Sequence, residues 1–194
     1  MNVLMLYPKF PEQTFWNTAR SVQLLWGRKA IMPPLGLLTI ASYLPEDFSV
    51  RLVDRNVAEE SAADWEWADV VFLSVMMAQR EDYRACVANA KMRGKPIAVG
   101  GPFTHALPED AGADADWVCF GEAENIMEEL AGDVRAGRPG RQYQGGNATN
   151  MERVKLPRFE LLPDVNDYAT MALQFSRGCP FQCEFCDIIE IYGR

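Results

Sequence analysis

Four short apolar runs and a fifth interrupted by Arg51, separated by helix-length stretches, constrain this chain more than any other feature. Val3-Leu4-Met5-Leu6-Tyr7 ends at Pro8, residues 50–53 end at Asp54, and residues 70–73 end at Ser74. Residues 97–99 lead into Gly100-Gly101-Pro102, and Trp117-Val118-Cys119-Phe120 leads into Gly121-Glu122. Runs this short and this apolar read as strands buried on both faces, and connections this long are crossovers rather than hairpins.

The stretches between them carry helix signals. Pro33-Pro34 opens a helix through Leu35, Leu37, Leu38, Ile40 and Ala41 that stops before Pro45. A short helix is expected over residues 59–65. Tyr83, Val87 and Ala90 recur at helical spacing with Cys86 beside them, acidic Glu81 and Asp82 precede them, and Lys91 and Arg93 follow. Those charges complement the helix dipole, and Gly94 can cap the end. Ile126, Met127, Leu130 and Val134 define a last helix that Gly137 ends. Strand and helix in alternation predict an α/β fold, a flavodoxin- or Rossmann-like parallel sheet with order 2-1-3-4-5.

In such sheets ligands bind beyond the carboxyl ends of the strands. The candidate binding residues are therefore Pro8 and Lys9, Asp54, Ser74 and Val75, Gly100, Gly101 and Pro102, and Gly121 and Glu122. Each has a plainer reading. The glycine pair could be only a tight turn or could let the backbone approach a ligand. Ser74 could bond its own backbone, and Asp54 could cap a turn.

Residues 8–33 are too long for a plain loop, and Phe15, Ala19, Val22 and Trp26 fall at helical spacing. They predict an added helix, either packed on the core or acting as a lid. The organisation expected is a first domain over 1–138, a linker over 139–168 rich in Gly and Pro, and the start of a second domain over 169–194. A strand over residues 172–175 would deliver the final loop.

The charge of -8 argues against sequence-independent nucleic-acid binding and against docking on anionic lipid, both of which need a cationic face. Met1 leads straight into a strand with no charged leader, and no apolar run could span a bilayer, which predicts a cytoplasmic protein without a transmembrane segment.

Three of the five cysteines lie within eight residues: Cys179-Pro180-Phe181-Gln182-Cys183-Glu184-Phe185-Cys186. Three thiolates on one loop can hold three irons of a 4Fe–4S cubane and leave the fourth open to a small ligand. A structural zinc site would need a fourth ligand, and the only histidine, His105, lies in a distant loop. A four-cysteine centre would have to recruit Cys86 or Cys119, which read as small core residues. Phe185 would shield the cluster.

The C-x-x-x-C-x-aromatic-C spacing resembles the radical S-adenosylmethionine (SAM) superfamily, whose cluster loop follows the first strand of a β/α barrel. The preceding domain resembles the cobalamin-binding domain of a subgroup that includes the hopanoid methylases. The wording that carries this is Pro33-Pro34-Leu35-Gly36-Leu37-Leu38, Val53-Asp54, Gly100-Gly101-Pro102, Gly121-Glu122-Ala123-Glu124 and Ser176-Arg177-Gly178-Cys179-Pro180. The resemblance implies Cys179, Cys183 and Cys186 as ligands of the 4Fe–4S cluster, SAM on its open iron, and cobalamin on the carboxyl edge of the sheet. It implies radical C-methylation of a lipid or other small molecule and an external electron donor; the alternatives are a radical SAM enzyme whose N-terminal domain is a degenerate scaffold without cobalamin, or a non-catalytic cobalamin or iron–sulfur module. Many cobalamin domains place an Asp-x-His-x-x-Gly motif after the first strand. Here Tyr7-Pro8-Lys9-Phe10 stands there, so cobalamin is expected base-off with no histidine ligand. The barrel that the resemblance implies would need residues beyond Arg194.

Overall fold

The computed structural model of the protein describes residues 1–12 and 19–194. The first strand, β1 (Asn2–Tyr7), is followed by α1 (Ala19–Trp26) and α2 (Leu35–Ala41). Next come β2 (Ser49–Asp54), α3 (Ala62–Trp67), β3 (Val70–Ser74), α4 (Arg80–Met92) and β4 (Ile97–Gly100). Two short helices, α5 (Pro102–Ala106) and α6 (Pro108–Gly112), precede β5 (Trp117–Phe120), and α7 (Met127–Arg135) precedes β6 (Arg141–Gln144). The last element is α8 (Ile188–Tyr192). All six strands are parallel, in the order β2-β1-β3-β4-β5-β6. The order expected for the first five strands is the one found.

Alternation along the strands divides the interior into two layers. Val3, Met5, Phe72, Ala98, Trp117 and Cys119 pack on one side of the sheet with Leu37 and Leu38 of α2 and Leu130 and Val134 of α7. Leu4, Leu6, Val71, Leu73, Val99 and Val118 pack on the other with Trp65, Tyr83, Val87, Phe103 and Ala111. Local chemistry fixes the helix ends. Ser61 and Asp64 form a reciprocal capping box at the start of α3, and Gly94 takes a φ of 63° just beyond α4.

Four features depart from the sequence expectations. The segment read as linker, 139–168, carries the sixth strand, whose only buried residue is Tyr143. The rest of that segment packs back on the sheet domain: Arg158 donates its amide to Leu38 O, Leu162 and Tyr168 are buried, and residues 29–31 bond residues 167–170. A second departure is the turn expected after Gly101, which contains α5 and α6. Third, residues 172–175 form no strand; neither sheet edge reaches them, and an extended segment without a ladder partner is not a strand. Fourth, in α1 Val22 is buried as expected, but Trp26, the last residue before Gly27, is exposed. Phe15 lies outside the described residues. No helix among the described residues is long and apolar enough to cross a membrane.

Candidate functional site

The carboxyl ends of β3, β4 and β5 open into a cavity of about 290 Å³, walled by α2 and α7 on the layer containing Phe72, Ala98 and Cys119. Ser74, Gly100, Gly101, Pro102, Gly121 and Glu122 line it, so six of the candidates converge on one place. The floor depends on absent side chains. A Cβ on Gly101, whose φ is 94°, would lie 2.7 Å from Val75 O and 3.1 Å from Ser74 Oγ. Gly36 of α2 faces Ser74 Oγ, with an added Cβ 3.9 Å away. The glycine pair is thus both a tight turn and a wall with no side chain.

The other candidates lie elsewhere. Val75 is fully buried in the opposite layer, and its backbone is used by Gly100 O and the Phe103 amide. Asp54 accepts from the Asn56 amide at 2.9 Å and from Tyr168 Oη at 3.2 Å, a turn-capping role beneath the returning segment. Burial pushes its carboxyl above the ordinary range, and the Asn56 and Tyr168 hydrogen bonds only partly offset this. The Pro8 carbonyl accepts from Gln79 Nε2 and Asn56 Nδ2, and the Lys9 amide donates to Asp82 at 2.6 Å. The loop after β1 is therefore tied down by its neighbours. His105 is committed as well: its Nε2 accepts the Gly121 amide at 2.8 Å.

The cavity has a roof that the sequence reading missed. Gln174, Arg177 and Tyr192, from the segment around the cysteine loop, line it together with Glu122 and Glu124. Arg177 Nη1 pairs with Glu122 and Nη2 with Glu124 at 2.7 Å. Burial pushes the Glu122 carboxyl up, and the guanidinium only partly restores it. The signal was present in the two quoted motifs, Gly121-Glu122-Ala123-Glu124 and Ser176-Arg177-Gly178-Cys179, but nothing local in the sequence says that they meet.

The three loop cysteines differ in placement. Cys183 is exposed, and Cys179 and Cys186 are partly exposed. Cys186 donates its amide to Cys183 O at 3.1 Å, which turns the loop. Among the described residues no three His, Cys, Asp or Glu side chains are gathered as a metal-holding group, so the thiols share a loop without converging. As a donor set, three accessible thiols on one turn suit an iron–sulfur cluster. Cys86 and Cys119 are buried in the two opposite core layers rather than beside the loop, and burial pushes both thiols up to about 12. Phe185 is 92% exposed.

Residues 27–131 match the sequence model of the B12 binding domain. Over 100% of its length the chain is 42% identical to an uncharacterized methyltransferase of Synechocystis sp., covering 36% of that protein. Over 99% of its length it is 37% identical to the hopanoid C-2 methylase of Rhodopseudomonas palustris, covering 37% of it. Over 85% it is 27% identical to the bacteriochlorophyllide d C-12(1)-methyltransferase of Chlorobaculum tepidum, again covering 37%. The chain thus spans little more than a third of the length of these curated relatives.

Proposed function

The chain belongs to the B12-binding domain family, and on that premise we propose that it is the cobalamin-holding and cluster-bearing part of a radical SAM C-methyltransferase. The single observation that carries this reading is the cavity at the carboxyl edge of the sheet, roofed by the segment that bears the cysteines. Its walls are largely apolar, Gly36 and Gly100 present no side chain along them, and Gly101 lets the turn close on the Val75 backbone, which suits a flat aromatic base such as the benzimidazole of cobalamin. The similar proteins that carry functional names are named as methyltransferases or a methylase, and one is named for a hopanoid. That supports methyl transfer to a lipid or another small molecule.

Cobalamin when bound supplies a methyl carrier, and a 4Fe–4S cluster with SAM supplies the one-electron chemistry that opens an unactivated C–H bond. This chain's own residues do the holding. Ser74 offers a hydroxyl in the cavity lining, and the Gly100-Gly101 backbone allows close approach. No imidazole follows β1 in this chain, and His105 accepts the Gly121 amide, so these residues would offer cobalt no free histidine. Cys179, Cys183 and Cys186 would hold the cluster, and an external donor would reduce it.

The test is anaerobic loading with hydroxocobalamin followed by desalting and a cobalt count. One cobalt per chain with a base-off spectrum is expected. Folded protein that retains no cobalt overturns the cobalamin part of the reading. Reconstitution with iron and sulfide should give about four irons per chain, and replacing Cys183 by Ala should remove most of them. Wild-type protein that takes up no iron overturns the cluster.

A further inference from the structure

The cavity wall contains a charge arrangement that neither methyl transfer nor cofactor binding by itself requires. Arg177 is 11% exposed, and its two carboxylate partners, Glu122 and Glu124, are 2% and 7% exposed. Gln174 Oε1 accepts from the same guanidinium at 2.9 Å. One cation thus faces two carboxylates and an amide oxygen in a nearly dry place. A buried ion pair is weak evidence for stability, because desolvation offsets most of the attraction, but it fixes orientation. Arginine suits this task where lysine would not, since its planar fork reaches both carboxylates at once.

The backbone beside it points the same way. Cys179 donates its amide to Gly193 O at 3.1 Å, just past α8. Gly178 takes a φ of 84°, and a Cβ there would meet Gly193 O at 2.5 Å. A Cβ on Gly193 would in turn meet Asn147 O at 2.5 Å, while Glu122 bonds Gly146 O through its amide at 2.9 Å. Three separate stretches of chain, around 121–122, 145–147 and 177–179, are stacked through the end of α8 at one corner of the cavity.

We propose that Arg177 is a positioning residue that latches the cysteine loop over the cavity, so that the placement of Cys179 and the occupancy of the cavity depend on each other, a role that rests on the cobalamin reading of that cavity. The latch works through charge. With Arg177 in place one guanidinium bonds both carboxylates and offsets their repulsion, and the roof closes. Without it, two buried like charges two residues apart repel, and the wall opens. Coupling of this kind is reciprocal: whatever factor the latch adds to ligand binding, the ligand adds to the order of the loop.

The test combines hydroxocobalamin titration with amide hydrogen exchange on the metal-free protein, using wild type, Arg177→Gln, Arg177→Lys and the double variant Arg177→Gln/Glu124→Gln. In wild type, saturating hydroxocobalamin should slow exchange over residues 176–183. Arg177→Gln should speed that exchange and weaken hydroxocobalamin binding by about tenfold each, within the usual range of coupling between sites, while β1 and β4 stay protected. The lysine variant should fall between, because it keeps the charge and loses the fork, and it serves as the readout if the glutamine variant does not fold. The double variant should recover part of the loss, since it removes the repulsion. Exchange rising equally in the strands would mean a merely structural role and overturn the proposal. Unchanged binding and exchange in Arg177→Gln would overturn it too. Wild type that binds no hydroxocobalamin overturns the cobalamin reading itself, whereas wild type that binds it while Arg177→Gln binds equally well overturns the latch alone.

Discussion

Gly101 shows how much one backbone angle decides. Its φ of 94° is out of reach for most side chains, and an added Cβ would lie 2.7 and 2.8 Å from Val75 O and N. Gly101→Ala should therefore destabilise the fold by about 2 kcal/mol or more, the scale of a strained positive-φ residue plus a clash. Urea unfolding measures this, and hydroxocobalamin affinity should fall with it. Gly132, with nothing within 4 Å of an added Cβ, lies in the middle of α7, and Gly132→Ala should instead stabilise by about 0.5–1 kcal/mol. At this scale Gly100, Gly101 and Ser74 were legible because strand ends in a parallel sheet are where ligands approach. Arg177 was not, because the cysteine spacing speaks only of thiols and its partners lie 53 and 55 residues away.

At the scale of elements, the strands of the sheet interior were legible because each is an unbroken apolar run. The edge strand β6 was not, since Arg141-Gln142-Tyr143-Gln144 buries a single ring. Besides its ladder with β5, a charged joint with α7 holds β6 in place. Asp133 of α7 accepts from Tyr143 Oη at 2.7 Å and pairs with Arg138 and Arg141. The Tyr143 hydroxyl, then Arg138, draws the Asp133 carboxyl down to about 2 from an ordinary 3.8. A carboxylate whose pKa is lower folded than unfolded adds stability above the unfolded value and loses it as pH falls through the folded one. Wild type should therefore lose stability between about pH 4 and pH 2, beyond what its other carboxylates contribute. In Asp133→Asn that component should be missing, so the two proteins should differ at neutral pH and converge near pH 2. Thermal melts across that range read the difference, and parallel curves would exclude the joint.

Across the whole molecule, the parallel order could be read from the alternation of elements, but the return of residues 154–170 onto the sheet could not. That segment has no periodicity; it is held by isolated apolar residues and by backbone bonds to residues 29–31 and 38. Tyr168 is its anchor. It is 6% exposed, and its hydroxyl reaches Asp54 Oδ2 at the carboxyl end of β2. The cysteine segment that follows therefore starts from a fixed point on the sheet rather than from a free tether. Tyr168→Phe keeps the ring and removes one donor from a buried carboxylate, which should cost about 1–3 kcal/mol at neutral pH. Burial already holds the Asp54 carboxyl above its ordinary range, and losing the donor should raise it further. A raised folded pKa means that stability is greatest below the unfolded pKa and declines as pH rises through the folded one. The penalty of Tyr168→Phe should accordingly shrink as pH falls and Asp54 takes up its proton. Tyr168→Ala removes the ring as well, should cost about 3–5 kcal/mol, and should release residues 154–170 to rapid hydrogen exchange while β3 and β4 stay protected. Urea titrations of both variants at pH 7 and pH 5 measure the two costs. A Tyr168→Phe penalty that does not change with pH would place its origin in ring packing rather than in the bond to Asp54.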